Sequence, residues 1–231
     1  MKDISTLILA GGLGTRLRPL TFSIPKPMIS INGDPIILNI IRQLKKYNFK
    51  TIFISTGYMS DVIKAYLKNG SNLGVNIKYI DEKKPLGTAG PLSLIKNSQI
   101  SENFFIINGD IETNINLNLL KKFHLNENSD LTVCVKKTDI KSRYGDIKTD
   151  KYSNIIDIIE KPTFISNINC GMYMINKKIF SLTKINQKLT MPELITRSIK
   201  RGLTVKSFFF KEQWRAIEDL NDLKSLTNLK L

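Results

Sequence analysis

Residues 7–21 read LILAGGLGTRLRPLT. Four apolar residues finish a strand, and glycines then stand at positions 11, 12 and 14, with Arg16 and Arg18 close behind. Glycines let backbone N–H groups come close to a ligand, and the arginine fork matches phosphate oxygens. The stretch points to a polyanion at the carboxyl end of the first strand.

On either side of this loop the first half of the chain alternates short β-rich runs with amphipathic stretches. Strands are expected at ISTLILA (4–10), TIFIST (51–56), NIKYID (76–81) and FFIIN (104–108). Between them, residues 35–48 place Ile37, Ile40, Ile41 and Leu44 on one helical face, and 60–70 ends on a glycine suited to a helix stop. Such alternation implies right-handed crossovers and a mostly parallel sheet, whose ligands bind beyond the carboxyl ends of the strands. The glycine loop and Asn108-Gly109-Asp110 both fall at such ends.

The second half changes character. Strands at 130–136, 144–149, 154–159 and 170–176 have short connections, which suggests antiparallel additions over the site. Thr190-Met-Pro-Glu193 is a capping box announcing a helix over 191–201. A strand at 204–210 and a helix from about Asp219 follow. The fold expected is α/β with a mixed sheet.

The chain has 231 residues, 42% hydrophobic and 24% charged, ordinary for a globular protein with a substantial core. No apolar run reaches the length of a membrane span, and the N-terminal MKDISTLILAGG reads as strand one rather than a signal peptide. Cys134 and Cys170, far apart, are expected to be buried free thiols in a reducing cytosol. The net charge of +15 comes from lysines scattered in pairs, without interleaved aromatics. That argues against a nucleic-acid surface and for attraction of polyphosphate substrates. His124, in KKFHLN, is expected to be an exposed helix residue.

The loop is neither of two common phosphate loops. A dinucleotide fingerprint would need a third glycine where Leu17 stands, and an acidic residue ending the second strand, which instead runs TIFISTG. A Walker loop would need Gly-Lys-Ser/Thr. Together with PKPM (25–28), EKKPLGTAGPL (82–92), NGD (108–110), YGDI (144–147), EKP (160–162) and NCGMY (169–173), however, the string resembles the signature of the sugar-phosphate nucleotidyltransferases. These join a nucleoside triphosphate to a sugar 1-phosphate. The segment at 82–92 is most similar to that of the mannose-1-phosphate guanylyltransferase group.

The resemblance implies a Rossmann-like sheet of the nucleotide-diphospho-sugar transferase type. It also implies one nucleotidyltransferase domain over 1–231, with 1–115 mainly holding nucleotide and 116–231 mainly sugar phosphate. Leu9, Ala10, Gly11, Gly12, Gly14, Thr15, Asn108 and Gly109 would line the nucleotide. Arg16 would stabilise the leaving phosphates and Lys26 would reach the α-phosphate. Asp110 would hold Mg²⁺, an ion suited to carboxylate and phosphate oxygens. The backbone of Leu86, Gly87 and Thr88 would read the base. Gly145, Glu160, Lys161, Asn169 and Gly171 would form the sugar-phosphate pocket.

One feature departs from that pattern. The family carries an aspartate, a second metal ligand, two residues after a tryptophan. Here Trp214 is followed by Arg215 and Ala216, and Glu218, two residues on with a longer side chain, is the expected substitute. The expected activity is therefore transfer from GTP to a mannose- or heptose-type sugar 1-phosphate, making a cytoplasmic precursor of surface glycans. A cytidylyltransferase using CTP and a binding protein with weakened catalysis stand as alternatives. A C-terminal β-helix is not expected, no nucleic-acid or membrane partner is called for, and a homo-oligomer stays open.

Overall fold

The computed structural model describes residues 4–96, 99 and 101–227. The chain opens with β1 (Ser5–Ala10), passes the glycine loop and a short hairpin of β2 (Ser30–Ile31) and β3 (Asp34–Pro35), and enters α1 (Ile36–Lys46). Next come β4 (Thr51–Thr56), α2 (Ser60–Leu67), β5 (Asn76–Asp81), β6 (Asn103–Asn108), β7 (Ile111–Thr113) and α3 (Leu117–Asn126). The second half runs through β8 (Leu131–Lys141), β9 (Asp146–Thr149), β10 (Ile155–Ile159) and β11 (Thr163–Asn176). It ends with α4 (Met191–Lys200), β12 (Val205–Phe209), β13 (Trp214–Ala216) and α5 (Leu220–Thr227), the rest of that last helix's expected run lying outside the described residues.

Seven strands form one sheet in the order β12-β8-β11-β6-β1-β4-β5. The block β6-β1-β4-β5 is parallel, β11 runs antiparallel to both β6 and β8, and β12 is parallel to β8. The α/β fold with a mixed sheet is thus observed. Side chains alternate across a strand, and the sheet uses this to fill two cores. Ile8, Ile52, Ile54, Phe105 and Ile107 point to one face, under α1 and α3. Leu7, Phe53, Phe104 and Ile106 point to the other, with Tyr173, Phe180 and Leu194.

Local chemistry sets the helices. Pro35 leads into α1, whose Ile36, Ile37, Ile40, Ile41 and Leu44 are all buried, and the chain turns out at Asn48 with φ +65°. Asparagine tolerates that left-handed conformation better than most residues. In α4 the Glu193 carboxylate accepts from the Thr190 N–H at 2.7 Å while the Thr190 hydroxyl accepts from the Glu193 N–H, the expected capping box. Helix α2 ends at Leu67, earlier than its glycine suggested, because Lys68 already takes φ +50°.

Two expectations are corrected. His124 is not exposed: it is 1% accessible, its Nδ1 2.8 Å from the Thr132 hydroxyl and its Nε2 3.1 Å from the Asn103 side-chain oxygen. It sits on the inner face of α3 with Leu117 and Leu120, and burial pushes its pKa down to about 4 against the opposing pull of Asp130. Strands β8 and β11 also run on past their expected ends, pairing out to Lys141 and Thr163. Beyond Val135, where β12 stops pairing, they form a two-stranded ribbon. The small β9–β10 hairpin continues from it, and together they make an arm. Both cysteines are buried free thiols, as expected.

Candidate functional site

The carboxyl ends of β1 and β6 lie side by side, and the loops that leave them enclose a cleft of about 330 Å³. The first wall is the glycine loop. Gly14 takes φ +60°, and a Cβ there would stand 2.9 Å from Thr21 Cγ2. Its carbonyl accepts both the Leu17 N–H and the Thr21 hydroxyl at 2.9 Å, so the loop is pinned as it turns. Leu17 is fully buried and anchors the short helical turn that carries Arg16. The second wall begins at Gly109, whose N–H donates to the Leu9 carbonyl at 2.9 Å and whose missing Cβ would stand 2.7 Å from that oxygen. That approach fixes Asp110 opposite the loop.

Two ion pairs cross the cleft. Lys26 donates to Asp110 Oδ2, with the side chains 14% and 24% exposed. Lys26 is held between Pro25 and Pro27, the latter buried in its own short helical turn. Arg16 pairs with Glu218 near the mouth. Each cation in the cleft is therefore matched by a carboxylate, and a polyanion entering it would have to displace that partner. Asp110 Oδ1 is buried with no hydrogen-bond partner. Buried acceptors are rarely left so, and a bound cation is one way to satisfy it.

The C-terminal segment reaches the same place through β13, which pairs with β7 and sets Ala216 opposite Ile111. The Ile217 N–H donates to the Asp110 carbonyl at 2.9 Å, and Glu218 lines the same cleft as Asp110. Ala216 has no ligating atom. Asp110 and Glu218 carry carboxylate oxygens of the kind that a hard divalent cation takes. Among the described residues no three His, Cys, Asp or Glu side chains cluster as a metal site, so phosphate and water would supply the remaining ligands.

Of the residues singled out in the sequence, Leu9, Ala10, Gly11, Gly12, Gly14, Thr15, Arg16, Lys26, Gly87, Thr88, Asn108, Gly109, Asp110 and Glu218 line the cleft. Leu86 does not. It is buried, its N–H donates to Glu82 at 2.9 Å, and its carbonyl accepts the Leu189 N–H at 2.8 Å. Gly171, at φ +66°, packs against the Asn108 side chain. Asn169 uses its side-chain oxygen on the Gly171 N–H at 3.0 Å. Gly145, Glu160 and Lys161 ride on the arm, exposed and away from the cleft lining.

One lining residue had been given no role. Glu82 accepts from the Ser55 hydroxyl and the Leu86 N–H, and its Oε1 lies 2.5 Å from where a Cβ on Gly11 would be. It ties the 82–88 turn to β4 and packs against the glycine loop at Gly11. The signal for it was present: an acidic pair, Asp81-Glu82, ends the third parallel strand rather than the second.

The chain is similar to known proteins. The chain is 36% identical over 212 residues to the mannose-1-phosphate guanylyltransferase catalytic subunit beta of Drosophila melanogaster, covering 88% of this chain and 58% of that one. It is 34% identical over 235 residues to the mannose-1-phosphate guanyltransferase of Yarrowia lipolytica, covering 97% and 63%. The chain thus spans a little over half the length of these curated relatives. HddC from Yersinia pseudotuberculosis, solved in complex with GMP-PN, superposes with a TM-score of 0.76 at 28% identity over 97% of this chain and 98% of that one. The sequence pattern of the nucleotidyl transferase family matches residues 5–230, so the chain belongs to that family.

Proposed function

We propose that this protein transfers a nucleoside monophosphate from GTP to a mannose- or heptose-type sugar 1-phosphate, releasing pyrophosphate. The observation that carries the reading is the cleft itself: a pinned glycine loop faces the Lys26–Asp110 pair, with Arg16 at the mouth. GTP is favoured over CTP by the guanylyl-transferring relatives and by the GMP-PN bound in a structural neighbour.

A phosphate monoester is largely ionised at neutral pH, so the reaction needs alignment and charge neutralisation more than a general base. An oxygen of the sugar phosphate attacks the α-phosphorus. The new O–P bond forms as the bond to the α–β bridging oxygen breaks, and pyrophosphate leaves with the electron pair. Backbone N–H groups of Gly11, Gly12, Gly14 and Thr15 hold the triphosphate. Arg16 turns from Glu218 to the leaving β- and γ-phosphates, and Lys26 meets the charge that builds on the α-phosphate. Magnesium, when bound, would neutralise phosphate oxygens, held by Asp110 and by Glu218 in place of the carboxylate missing at Ala216. Glu160, Lys161, Gly145, Asn169 and Gly171 are assigned to the sugar phosphate, which requires the arm to close toward the cleft. The product suits a cytoplasmic supply of activated sugar for surface glycans.

Ala216 favours a second reading, a sugar-nucleotide-binding protein with weakened transfer. Pyrophosphate release separates the two. The test pairs each of four nucleoside triphosphates with a panel of hexose and heptose 1-phosphates, in Mg²⁺. Release with GTP and one sugar supports the proposal, and release with CTP alone makes the protein a cytidylyltransferase. Nucleotide binding without release across the panel supports the second reading.

A further inference from the structure

Arg16 and Glu218 each occupy the group the other would need for a ligand. The pair spans the mouth of the cleft from residues 202 positions apart, with side chains 67% and 51% exposed. The backbones beneath them are fixed. Leu17 is fully buried behind Arg16, and the Ile217 N–H donates to the Asp110 carbonyl at 2.9 Å. The Glu218 N–H in turn donates to Asp222 Oδ2 at 2.8 Å. Exposed tips on pinned backbones change partners by side-chain rotation alone, a picosecond-to-nanosecond motion.

Charge decides when they part. A polyphosphate that takes Arg16 by itself leaves Glu218 without a counter-ion beside an anion, in a hollow that Asp219 and Asp222 also line. A divalent cation that takes Glu218 by itself leaves Arg16 without one beside a cation. Like charges so placed repel. Only when both ligands enter do all four charges find partners, phosphate on Arg16 and metal on Glu218. Asp110 needs no such exchange, because its Oδ1 is unpartnered while its Oδ2 keeps Lys26.

We propose that the Arg16–Glu218 pair is a two-ligand switch, which makes polyphosphate and divalent cation bind cooperatively and holds off either one alone. It deepens the nucleotidyl-transfer reading, on which it rests for the polyphosphate, by giving both residues a part before any chemistry. An exposed ion pair is worth up to about fivefold in an equilibrium, and that sets the size of the coupling. Coupling is reciprocal, so each ligand favours the other by the same factor.

Inorganic pyrophosphate and Mn²⁺, each without the other, test it on the full chain in a cycle of Arg16→Gln and Glu218→Gln. In EDTA, calorimetry is expected to show Glu218→Gln binding pyrophosphate about three- to fivefold more tightly than wild type, because Arg16 is released. Without phosphate, electron paramagnetic resonance is expected to show Arg16→Gln binding Mn²⁺ more tightly by about the same factor, because Glu218 is released. Neither substitution should bring its gain when the other is already in place. Gains of equal size in that background would mark a plain change of field, and no gain in either single variant would mean that the pair blocks nothing. Each of these results overturns the proposal. Both substitutions are at exposed positions, where the fold tolerates them. No base, sugar or turnover enters either measurement, so a failure here leaves the transfer reading standing, and a silent transfer assay leaves the switch standing.

Discussion

Lys26 and Asp110 meet across the cleft from segments 84 residues apart, and only one of the two aspartate oxygens is used. The pair holds two groups of the proposed chemistry in register, with one oxygen left for a cation. Asp110→Asn should lower kcat at least ~100-fold while leaving the thermal unfolding midpoint within a few degrees. Pyrophosphate release and a melting curve check it, and a near-wild-type rate in Mg²⁺ would remove Asp110 from the mechanism.

Arg16 is assigned to the leaving phosphates, so Arg16→Ala should lower kcat roughly 100-fold with the KM for sugar 1-phosphate nearly unchanged. A loss confined to that KM would contradict its place. Glu218→Gln should raise the Mn²⁺ concentration for half-binding about tenfold, read by electron paramagnetic resonance in the presence of nucleotide. Unchanged metal binding would show that Glu218 serves only as the arginine's partner.

Gly14 combines φ +60° with a Cβ position 2.9 Å from Thr21. Gly14→Ala should destabilise the fold by about 1–2 kcal/mol, from left-handed strain and displacement of the threonine methyl. Urea denaturation measures it. The KM for nucleoside triphosphate should rise as well, since the loop can no longer keep its path.

Glu82 braces the 82–88 turn against the glycine loop. Glu82→Ala should raise the nucleotide KM about tenfold. Glu82→Gln should recover part of this, because the amide oxygen can still accept from the Leu86 N–H. Steady-state kinetics on the two variants distinguish bracing from direct contact.

His124 titrates at about 4 in the folded protein and near 6.5 in the unfolded chain. Between those values the unfolded state binds more protons, so stability must fall as pH drops from about 6.5 to 4. The difference amounts to about 3 kcal/mol when fully expressed. Urea midpoints at pH 7.5 and pH 5, compared between wild type and His124→Gln, report it. The variant should lose most of the pH slope.

Strand β1 and helix α1 were legible in the sequence because burial writes a period into them, two residues for Ile8 against Leu7 and Leu9, three or four for Ile37, Ile40, Ile41 and Leu44. The outer halves of β8 and β11 were not, since residues such as Thr138, Asp139, Ser166 and Asn167 pair only through their backbones and face water on both sides. His124 misled through its neighbours: Lys121 and Lys122 suggested solvent, while its spacing from Leu117 and Leu120 already placed it on the inner face. The cleft residues of the glycine loop and NGD were visible because they interrupt apolar strands. Glu82 was missed because the acidic residue was sought one strand too early.

The β7–β13 pairing has a consequence for synthesis. Arg16 emerges from the ribosome about two hundred residues before its partner, and Glu218 is 202 positions later. At roughly 5–20 residues per second, ten seconds or more separate them. A nascent chain can assemble β1, β4 and β5 during that interval, but the cleft lacks Glu218 until Trp214–Ala216 is threaded beside Ile111–Thr113. A polypeptide arrested before residue 214 would hold the glycine loop in a folded parallel sheet while Arg16 still lacks Glu218 and the Asp110 carbonyl still lacks the Ile217 N–H, so the site closes only once translation has passed residue 218.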